Sequence, residues 1–364
     1  MTVIYYIFLA FLSIFSYVLI DPNLTLFNHE YWNIFRNFMV SYGYYRRDLT
    51  SVIYIFIILV LVGFNYYFIH KYKQFNPFKL AIGIAVILFF SYPFLSHDFF
   101  NYIFDAKILT FYHQNPYTHK ALDFPDDSWL RFMQWTHRTY PYGPSFLLIT
   151  LIPSFLSFGK FILNWILFKI MFIVFYLLSA YLLTKMNKKW GMLMVTSPLV
   201  IIEGLISLHN DFIALVLAIV AIFYLQKKNK ILSGTFFLLS GGIKYITLPF
   251  VFLVINNKII RIVSSVIIIG LLIYLSLFFA IQPWYFFALL VLIPFYENLI
   301  IRMQIFFGGL LLSYYPYMRF GEWSRPENVV LKQQIIIVFL IINIIYLLIY
   351  FFLRRTKKFF NKNK

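Results

Sequence analysis

Long apolar runs follow one another along the whole chain, and they leave it few ways to fold. The sequence is 62% hydrophobic and only 12% charged, whereas about a quarter of the residues in a soluble domain are charged. A helix needs about 20 apolar residues to cross the hydrocarbon core of a bilayer, and the short alternating segments of a transmembrane barrel are not visible. The sequence therefore predicts an all-α, polytopic membrane protein. Its apolar runs lie at about 3–20, 51–69, 79–95, 161–184, 190–207, 210–226, 231–257, 259–281, 284–314 and 333–353.

Two of these runs are too long for one comfortable crossing, and each contains an interruption. The sequence Gly241-Gly242-Ile243-Lys244 interrupts the run 231–257, and the segment from Glu297 to Arg302 interrupts the run 284–314. Two short crossings in each run give about twelve transmembrane helices, with both termini on the same side of the membrane.

Between the third and fourth of these spans, the chain is expected to stay at the external interface. Residues 144–158 contain Pro144, which suits the first turn of a helix, and Pro153, which lies inside the run. A short interfacial helix accommodates both prolines. No internal repeat and no linker is visible, so residues 1–364 read as one integral-membrane domain.

The distribution of basic residues predicts the orientation of the chain. By the count above, eighteen Lys and Arg residues share one face with a single acid, Glu297, and the positive-inside rule makes that face cytoplasmic. The net charge of +18 is therefore attributed to topology rather than to nucleic-acid binding. Residues 21–50 do not follow the positive-inside rule, because the predicted spans place Arg36, Arg46 and Arg47 on the external face. The basic residues on the cytoplasmic face are Lys71, Lys73, Lys79, Lys185, Lys188, Lys189, Lys227, Lys228, Lys230, Lys258, Arg261, Arg302 and the six from Arg354 to Lys364.

Acids and histidines are concentrated in one segment of this apolar chain. Five of its thirteen acids and four of its seven histidines lie between His97 and Tyr140. Asp98 comes directly after the third apolar run, and a carboxylate at the bilayer edge is costly to desolvate unless something there requires it. We interpret the segment as the reactive centre of a membrane enzyme on the external face.

The residues after Asp98 predict an amphipathic helix over 97–112. Asp98, Asn101, Tyr102 and Asp105 share one face at spacings of three, four and seven. The opposite face is apolar and is expected to lie in lipid, so that Lys107 on that side would have to extend toward water. The apolar face consists of Phe100, Ile103, Phe104 and Phe111.

Two further polar features fall on the same predicted face of the membrane. Glu203 lies well inside an apolar run and is followed by His209-Asn210-Asp211, and an acid inside a membrane run is by default functional. Lys244 lies at the tip of the predicted hairpin, where the glycines before it let the backbone approach an anion such as a phosphate. Lys169 falls in the middle of a span, and the sequence offers no account of it.

Together these residues suit group transfer from a lipid phosphate. Asp98 is positioned to act as the general base that accepts a proton from an acceptor hydroxyl. Lys244, with His209 or Asn210, would offset the charge that develops on the departing phosphate. The chain contains no cysteine, so thiol catalysis and thiolate metal sites are excluded.

The order and spacing of these motifs resemble the C-type superfamily of integral-membrane glycosyltransferases. The likeness is to polyprenol-phosphate-mannose-dependent mannosyltransferases of glycosyltransferase family 87 and to the related GPI mannosyltransferases. It covers about 79–290 as the catalytic module, which leaves 1–78 as two additional spans and 291–364 as C-terminal spans. The motifs are Ser96-His97-Asp98 with Tyr102 and Asp105, Asn115-Pro116-Tyr117, Tyr140-Pro141, Ser197 to Glu203 with His209 to Asp211, Lys244-Tyr245 and Pro283-Trp284-Tyr285.

The resemblance implies a function for the chain and roles for these residues. It implies a hexosyltransferase, most simply an inverting mannosyltransferase, that moves a sugar from a polyprenyl-phosphate donor to a lipid-linked glycan or cell-envelope acceptor. Asp98 is the implied catalytic base and Lys244 the implied contact to the donor phosphate. The implied substrate- or donor-binding residues are His97, Tyr102, Asp105, Asn115, Tyr140, Glu203, His209, Asn210, Asp211, Lys244 and Tyr245.

The chain departs from the family pattern at two positions, and two other functions stay open. His97 replaces a frequent second acid, and Tyr142 replaces the second proline of a frequent Tyr-Pro-Pro. His97, Asp98, His209 and Asp211 are types that bind divalent cations, but no motif requires a metal, and we predict no metal and no other cofactor. The alternatives are an O-antigen polymerase or ligase, expected to have a late, arginine-rich loop, and a transporter or flippase of lipid-linked sugars, expected to show repeated halves.

Overall fold

The computed structural model describes residues 1–255, 257–323 and 325–362, and this part of the chain is all-helical, with one isolated bridge between Lys120 and Thr139 and no strand. Lys364, the last of the predicted basic residues, lies outside the described residues. The α-helices are α1 (Thr2–Phe15), α2 (Glu30–Tyr45), α3 (Arg47–His70), α4 (Pro77–Leu88), α5 (Asp98–Thr110), α6 (Pro144–Leu156), α7 (Phe161–Met186), α8 (Lys188–Val195), α9 (Asn210–Gln226), α10 (Lys230–Gly241), α11 (Lys258–Phe278), α12 (Phe287–Leu290), α13 (Ile293–Ile300), α14 (Gln304–Leu312), α15 (Tyr315–Phe320) and α16 (Pro326–Lys362).

Six stretches of the described chain are long and apolar enough to cross a membrane, which confirms a membrane protein. A seventh is added if α8 and the following π-helix Val200–Ile206, bent by 66°, form one broken span. Several other predicted spans coincide with shorter helices, such as the 12 residues of α4 and of α10. Twelve helical residues extend only about 18 Å, well short of a bilayer core. Helix length thus accounts for six or seven crossings, and the remainder of the predicted twelve stay a prediction. The six are Thr2–Leu19, Arg47–His70, Phe161–Met186, Lys258–Phe278, Ile293–Phe320 and Pro326–Arg354.

The predicted interruptions of the two long apolar runs are where the sequence places them. α10 ends at Gly241, and a 3-10 helix, Tyr245–Ile255, runs back beside it. In the second run a short 3-10 turn, Ile301–Met303, separates α13 from α14. Glu297 in α13 pairs with Lys189 Nζ at 2.7 Å and accepts a hydrogen bond from Trp190 Nε1 at 2.6 Å, which ties this interruption to the start of α8.

The basic loops lie at the opposite ends of the helices from the acid-rich segment. α9 begins at Asn210, beside the candidate site, and ends at Gln226, directly before Lys227 and Lys228. α11 runs the other way, from Lys258 toward Trp284. Within the basic end, Lys188 Nζ donates to the carbonyl of Lys73 at 2.8 Å. The two ends of the helix bundle therefore differ in charge as the sequence indicates.

The prediction that the apolar side of α5 lies in lipid is wrong for three of its four residues, and only Phe111, just past the end of the helix, is exposed. Phe100, Ile103 and Phe104 are buried, because the segment 111–143 and helices α6 and α7 cover the helix. Lys107 is also buried rather than extended toward water. Its ammonium pairs with Asp127 and lies 3.6 Å from the centre of the Trp129 ring. A lysine paired in this way holds the covering segment against α5.

Lys169, unexplained by the sequence, has a structural partner. Its ammonium lies on the buried side of α7 and donates to the carbonyl of Ser91, with the Ser91 hydroxyl 3.3 Å away. Ser91 follows the end of α4, where the chain leaves helical structure and its backbone carbonyls lose their helical donors. Lys169 thus fixes the extended segment that leads to Asp98.

Candidate active site

Three loops at one end of the helices bring five charged side chains together, which we call the charged cluster: Asp98, Glu203, His209, Asp211 and Lys244. Asp98 opens α5, and its backbone N–H donates to Ser96 Oγ at 3.1 Å. His209 directly precedes α9, and Asp211 lies in the first turn of that helix. Lys244 lies in the turn between α10 and the 3-10 helix. Residues almost 150 positions apart therefore meet in one place.

The His209 ring lies between two carboxylates of this cluster. Its Nδ1 is 3.6 Å from Asp98 Oδ2, and its Nε2 is 3.2 Å from Glu203 Oε2. The side chains of His209 and Glu203 are fully buried, whereas the Asp98 side chain keeps 15% of its exposure. Asp98 is therefore the member of this row that a substrate can reach.

An unusual backbone places Glu203 next to His209. Val200–Ile206 forms a π-helix, and the Glu203 carbonyl accepts a hydrogen bond from the His209 N–H at 2.9 Å. Between them Leu208 has a φ of +60°, a left-handed conformation that is costly for a residue with a branched side chain. π-helical turns often occur at functional sites. The wide turn folds the Glu203 carboxylate back toward the imidazole.

An aromatic ring fixes the plane of the imidazole. Trp284, in the 3-10 helix Pro283–Phe286, stacks on His209 with the ring centroids 3.7 Å apart and the planes 17° from parallel. The stack allows the imidazole to lie in only one plane, so its two nitrogens stay aimed at the two carboxylates.

The charges in this row shift the pKa of two of its members. Burial alone would raise the pKa of the Asp98 carboxyl, but the contact with His209 and the positive charges of Lys244 and Arg138 lower it below its ordinary value. Burial alone would lower the pKa of His209, but Asp98 and Glu203 raise it to about 8. At neutral pH Asp98 is therefore a carboxylate and His209 an imidazolium.

The second part of the charged cluster is an ion pair beside two aromatic rings. Lys244 Nζ lies 3.1 Å from Asp211 Oδ2 and 5.5 and 5.6 Å from the ring centres of Tyr142 and Tyr285. Burial would lower the pKa of Lys244, but Asp211 and the other negative groups nearby raise it. The lysine is therefore a permanent cation, and its side chain keeps 21% of its exposure.

Two glycines set the position of the Lys244 turn. The Ser145 N–H, at the start of α6, donates to the carbonyl of Gly242 at 3.1 Å. A Cβ on Gly143 would lie 1.9 Å from that carbonyl oxygen, and a Cβ on Gly242 would lie 2.2 Å from Ser145 Oγ. Only glycine permits this approach, which brings Tyr142 beside Lys244.

A tyrosine joins α5 to α9 within the same site. The Asn210 N–H donates to the Tyr102 hydroxyl at 3.3 Å, and that hydroxyl lies 3.5 Å from Asn210 Oδ1. Both residues are buried. This contact holds the start of α9, and with it His209 and Asp211, against α5 and Asp98.

Comparison with known proteins assigns the chain to a family. The model of the MptA_B family, described as alpha-(1->6)-mannopyranosyltransferase, N-terminal domain, matches residues 52–259, which is more than half of the chain. The chain belongs to this mannosyltransferase family. It is therefore a glycosyltransferase, and the resemblance to C-type mannosyltransferases like those of glycosyltransferase family 87 is confirmed. No curated protein and no solved structure matches it.

The matched region of this mannosyltransferase, residues 52–259, contains the entire charged cluster and all the other predicted site residues. Tyr102 and Asn210 contact each other beside the cluster. Asp105 lies further along α5, and Tyr140, in the segment that covers this helix, is near it. His97 is half-buried, and its ring packs beside Phe100 at 6.0 Å between centroids. The positions of these residues do not test their roles in substrate binding, which stay predictions.

The structure does not bring Asn115 and Tyr245 into the charged cluster. Asn115 is exposed, and its side chain accepts a hydrogen bond from the N–H of Tyr117 in a local turn. Tyr245 follows Lys244, but 74% of its surface is exposed, on the outer side of the hairpin. Adjacent residues in a turn point in different directions, which spacing alone does not reveal.

Several residues around the site were not singled out by the sequence. Trp284 and Tyr285 belong to the Pro-Trp-Tyr motif but were assigned no role, and Lys332 was missed. The Lys332 ammonium is buried, donates to Gln282 Oε1 and lies 4.8 Å from the centre of the Trp323 ring. The signal was the polar sequence Lys332-Gln333-Gln334 at the start of the last apolar run. All of these lie beyond the family match.

The charged cluster does not have the arrangement of a metal centre. Among the residues that the structure describes, no three His, Cys, Asp or Glu side chains lie together in a way that would hold a metal ion. Asp98 and Glu203 lie on opposite sides of the His209 ring, each next to a different nitrogen. Independence of metal stays a prediction.

Proposed function

We propose that this mannosyltransferase moves mannose from a polyprenyl-phosphate donor to a hydroxyl of a lipid-linked glycan or cell-envelope acceptor, with inversion at the anomeric carbon. Asp98 is the general base, and Lys244 contacts the donor phosphate. The observation that carries the proposal is the charged cluster itself, in which a reachable carboxylate and a reachable lysine share one site. The family description adds an α-(1→6) linkage as the expected product.

In the proposed reaction, the acceptor oxygen forms a bond to the anomeric carbon as the bond from that carbon to the phosphate oxygen breaks. The hydroxyl proton passes to Asp98, and the bonding electrons leave with the polyprenyl phosphate. The transition state is oxocarbenium-like, as in glycoside hydrolysis. An α-linked product of a single inverting displacement requires a β-linked donor.

His209 has a different part in this mechanism from the one that the sequence predicted. Its two nitrogens face Asp98 and Glu203, so it holds the base in its ionised form rather than contacting the phosphate. Glu203 in turn favours the imidazolium, and Trp284 fixes the ring. His209 and Glu203 are therefore positioning residues for Asp98.

Lys244 acts on the leaving group. In the absence of substrate its charge is shared with Asp211, and the nearby Tyr285 hydroxyl is a further donor for phosphate oxygens. As the bond to carbon breaks, negative charge grows on the phosphate, and a fixed cation lowers the energy of that state most. One such donor is typically worth about 3–4 kcal/mol in the transition state.

The surface beside Lys244 suits an isoprenoid chain. Tyr245, Leu248 and Phe252 on the 3-10 helix are exposed, as are Leu277 and Phe278 at the end of the neighbouring α11. Exposed apolar side chains on two packed helices, next to a phosphate-binding lysine, match a lipid with one charged end. Tyr245 thus belongs to the proposed donor surface, outside the charged cluster.

The proposed site faces the extracytoplasmic side of the cytoplasmic membrane, with both termini cytoplasmic and about twelve crossings. Support comes from the position of the charged cluster, at the ends of the helices opposite to the basic loops. By the positive-inside rule those loops remain in the cytoplasm.

The test is mannosyl transfer from radiolabelled polyprenyl-phosphate mannose in membranes that contain the wild type or the Asp98→Asn variant. Loss of the base should reduce transfer by about 100-fold or more. Equal transfer by both proteins would remove Asp98 from the mechanism, and transfer from a sugar nucleotide alone would refute the lipid donor.

A further inference from the structure

A second group of polar side chains lies beside α5, and two of them lack a hydrogen-bond partner among the described residues. Asn101, Asp105 and Tyr140 are each more than nine-tenths buried. Among the described residues, Asn101 Oδ1 and the Tyr140 hydroxyl have no hydrogen-bond partner. The Asp105 carboxyl lies close enough to Tyr140 to add to the rise that burial causes in the pKa of that hydroxyl. Buried polar groups are usually paired. Two unpaired polar atoms next to a buried carboxyl therefore indicate a ligand.

These groups follow directly from the proposed base. Asp98, Asn101 and Asp105 lie on the same side of α5, at spacings of three and four. Asp105 is two turns, or about 10 Å, beyond Asp98 along the helix. That distance is comparable to the size of a sugar whose ring contacts the later residues while one of its hydroxyls lies at Asp98.

The covering segment holds Tyr140 over α5. The Tyr140 N–H donates to the Pro116 carbonyl at 2.9 Å, and the Tyr117 hydroxyl donates to the Tyr142 carbonyl at 3.1 Å. The Tyr140 ring meets those of Tyr117 and Tyr142 edge-on, with centroids 5.2 and 5.3 Å away. The hydroxyl is thus rigidly placed before any ligand arrives.

The carboxyl in this group is neutral at neutral pH. Burial raises the pKa of Asp105 to about 8, with Asp98 adding to the rise and Arg138 opposing it. The other titratable groups facing it are Tyr140 and Tyr142, which are uncharged phenols near neutral pH. A protonated carboxyl both donates and accepts, as do an amide and a phenol. Such an uncharged set matches sugar hydroxyls and does not attract phosphate.

We propose that Asn101, Asp105 and Tyr140 form the acceptor subsite, which binds the hydroxyls of a hexose ring and places its reacting hydroxyl at Asp98. The proposal rests on the proposed function, because it takes Asp98 to be the base. The donor phosphate is assigned to Lys244, on the α9 and α10 side of Asp98. The segment that covers α5 has exposed polar residues such as Asn115 and Arg138, from which a glycan can enter from water.

The test separates the acceptor KM from the donor KM in the purified full-length enzyme, with polyprenyl-phosphate mannose as donor and octyl mannoside or octyl glucoside as acceptor. Asp105→Leu and Tyr140→Phe should each raise the acceptor KM by about tenfold. The donor KM should change far less than the acceptor KM, and the melting temperature in detergent shows separately whether the variants fold. The control is Tyr31→Phe, because Tyr31 is exposed and lies in α2, outside the proposed subsite.

A second variant tests the neutral carboxyl. Asp105→Asn keeps an uncharged donor and acceptor and should retain the wild-type acceptor KM at pH 7. In the wild type the acceptor KM should rise above pH 8 as Asp105 ionises, and in Asp105→Asn this rise should disappear.

Three outcomes would overturn the subsite: an unchanged acceptor KM in Asp105→Leu and Tyr140→Phe, a rise in the donor KM instead, or a wild type that hydrolyses the donor but transfers to neither hexoside. Failure of the proposed function differs from all three, because the wild type would then neither transfer nor hydrolyse polyprenyl-phosphate mannose.

Discussion

Glu203→Gln tests whether His209 acts on Asp98 as a cation. The substitution keeps the size of the side chain but removes the charge that lies 3.2 Å from His209 Nε2. At that distance the attraction is about 5 kcal/mol at an effective dielectric constant of 20. The two flanking carboxylates together outweigh burial and raise the pKa of His209 from 6.5 to about 8, which corresponds to about 2 kcal/mol. Without Glu203, burial should prevail and leave His209 neutral at pH 7.

A neutral His209 changes the ionisation of the base. The imidazolium is among the causes that lower the pKa of Asp98, and burial, which raises it, would then be less opposed. In Glu203→Gln the acid limb of the kcat/KM profile should move to higher pH by at least about one unit. On that limb the rate at a given pH falls about tenfold, while the donor KM stays near the wild-type value.

The assay is the pH profile of mannosyl transfer for the wild type, Glu203→Gln and the control Glu322→Gln, whose acid is exposed and pairs with the exposed Arg325. The control should reproduce the wild-type profile. A lower rate in Glu203→Gln with an unmoved acid limb would refute the electrostatic role and leave Glu203 as a packing residue.

Other predictions test the remaining parts of the site. Lys244→Gln should lower kcat by about 100- to 1,000-fold in transfer assays, whereas Lys185→Gln, an exposed lysine at the basic end, should not; equal losses would refute the phosphate contact. Gly242→Ala forces a Cβ to within 2.2 Å of Ser145 Oγ and should cost about 1–3 kcal/mol of stability, measured as a lower melting temperature in detergent. Gly270→Ala is its control, because nothing lies within 4 Å of that Cβ. A metal chelator should leave transfer unchanged, and loss of activity that is restored by a divalent cation would show that the prediction of no metal is wrong.

The sequence predicts well those features that depend on local composition. The apolar runs became helices because an apolar segment in a membrane must satisfy its backbone internally. The interruption at Gly241-Gly242 could be located because two glycines next to a lysine break an apolar helix. The meeting of Asp98, His209 and Lys244 followed from counting crossings, since a loop's side of the membrane depends on the number of spans before it.

What the sequence could not predict depends on long-range packing. The pattern of one polar and one apolar face in α5 is the same for a helix in the membrane interface and for a buried helix. The contact of Lys107 with Asp127 and Trp129 shows that the helix is covered. The sequence around Glu203 does not predict a π-helix. The stack of Trp284 on His209 joins residues 75 positions apart in the sequence. Such contacts arise only when the helices are assembled.

The proposed reaction leaves the charge of the site unchanged, which gives a physical reason for the charged cluster to be built as alternating pairs. The donor phosphate carries one negative charge before transfer, and departure from the sugar adds a second. At the same time Asp98 takes up a proton and becomes neutral. Negative charge thus moves from the His209 side of the cluster to the Lys244 side, and no net charge enters a poorly solvated site, where it would be costly. His209, which then has Glu203 as its remaining carboxylate partner, favours release of the proton from Asp98 and so returns the base to its reactive form.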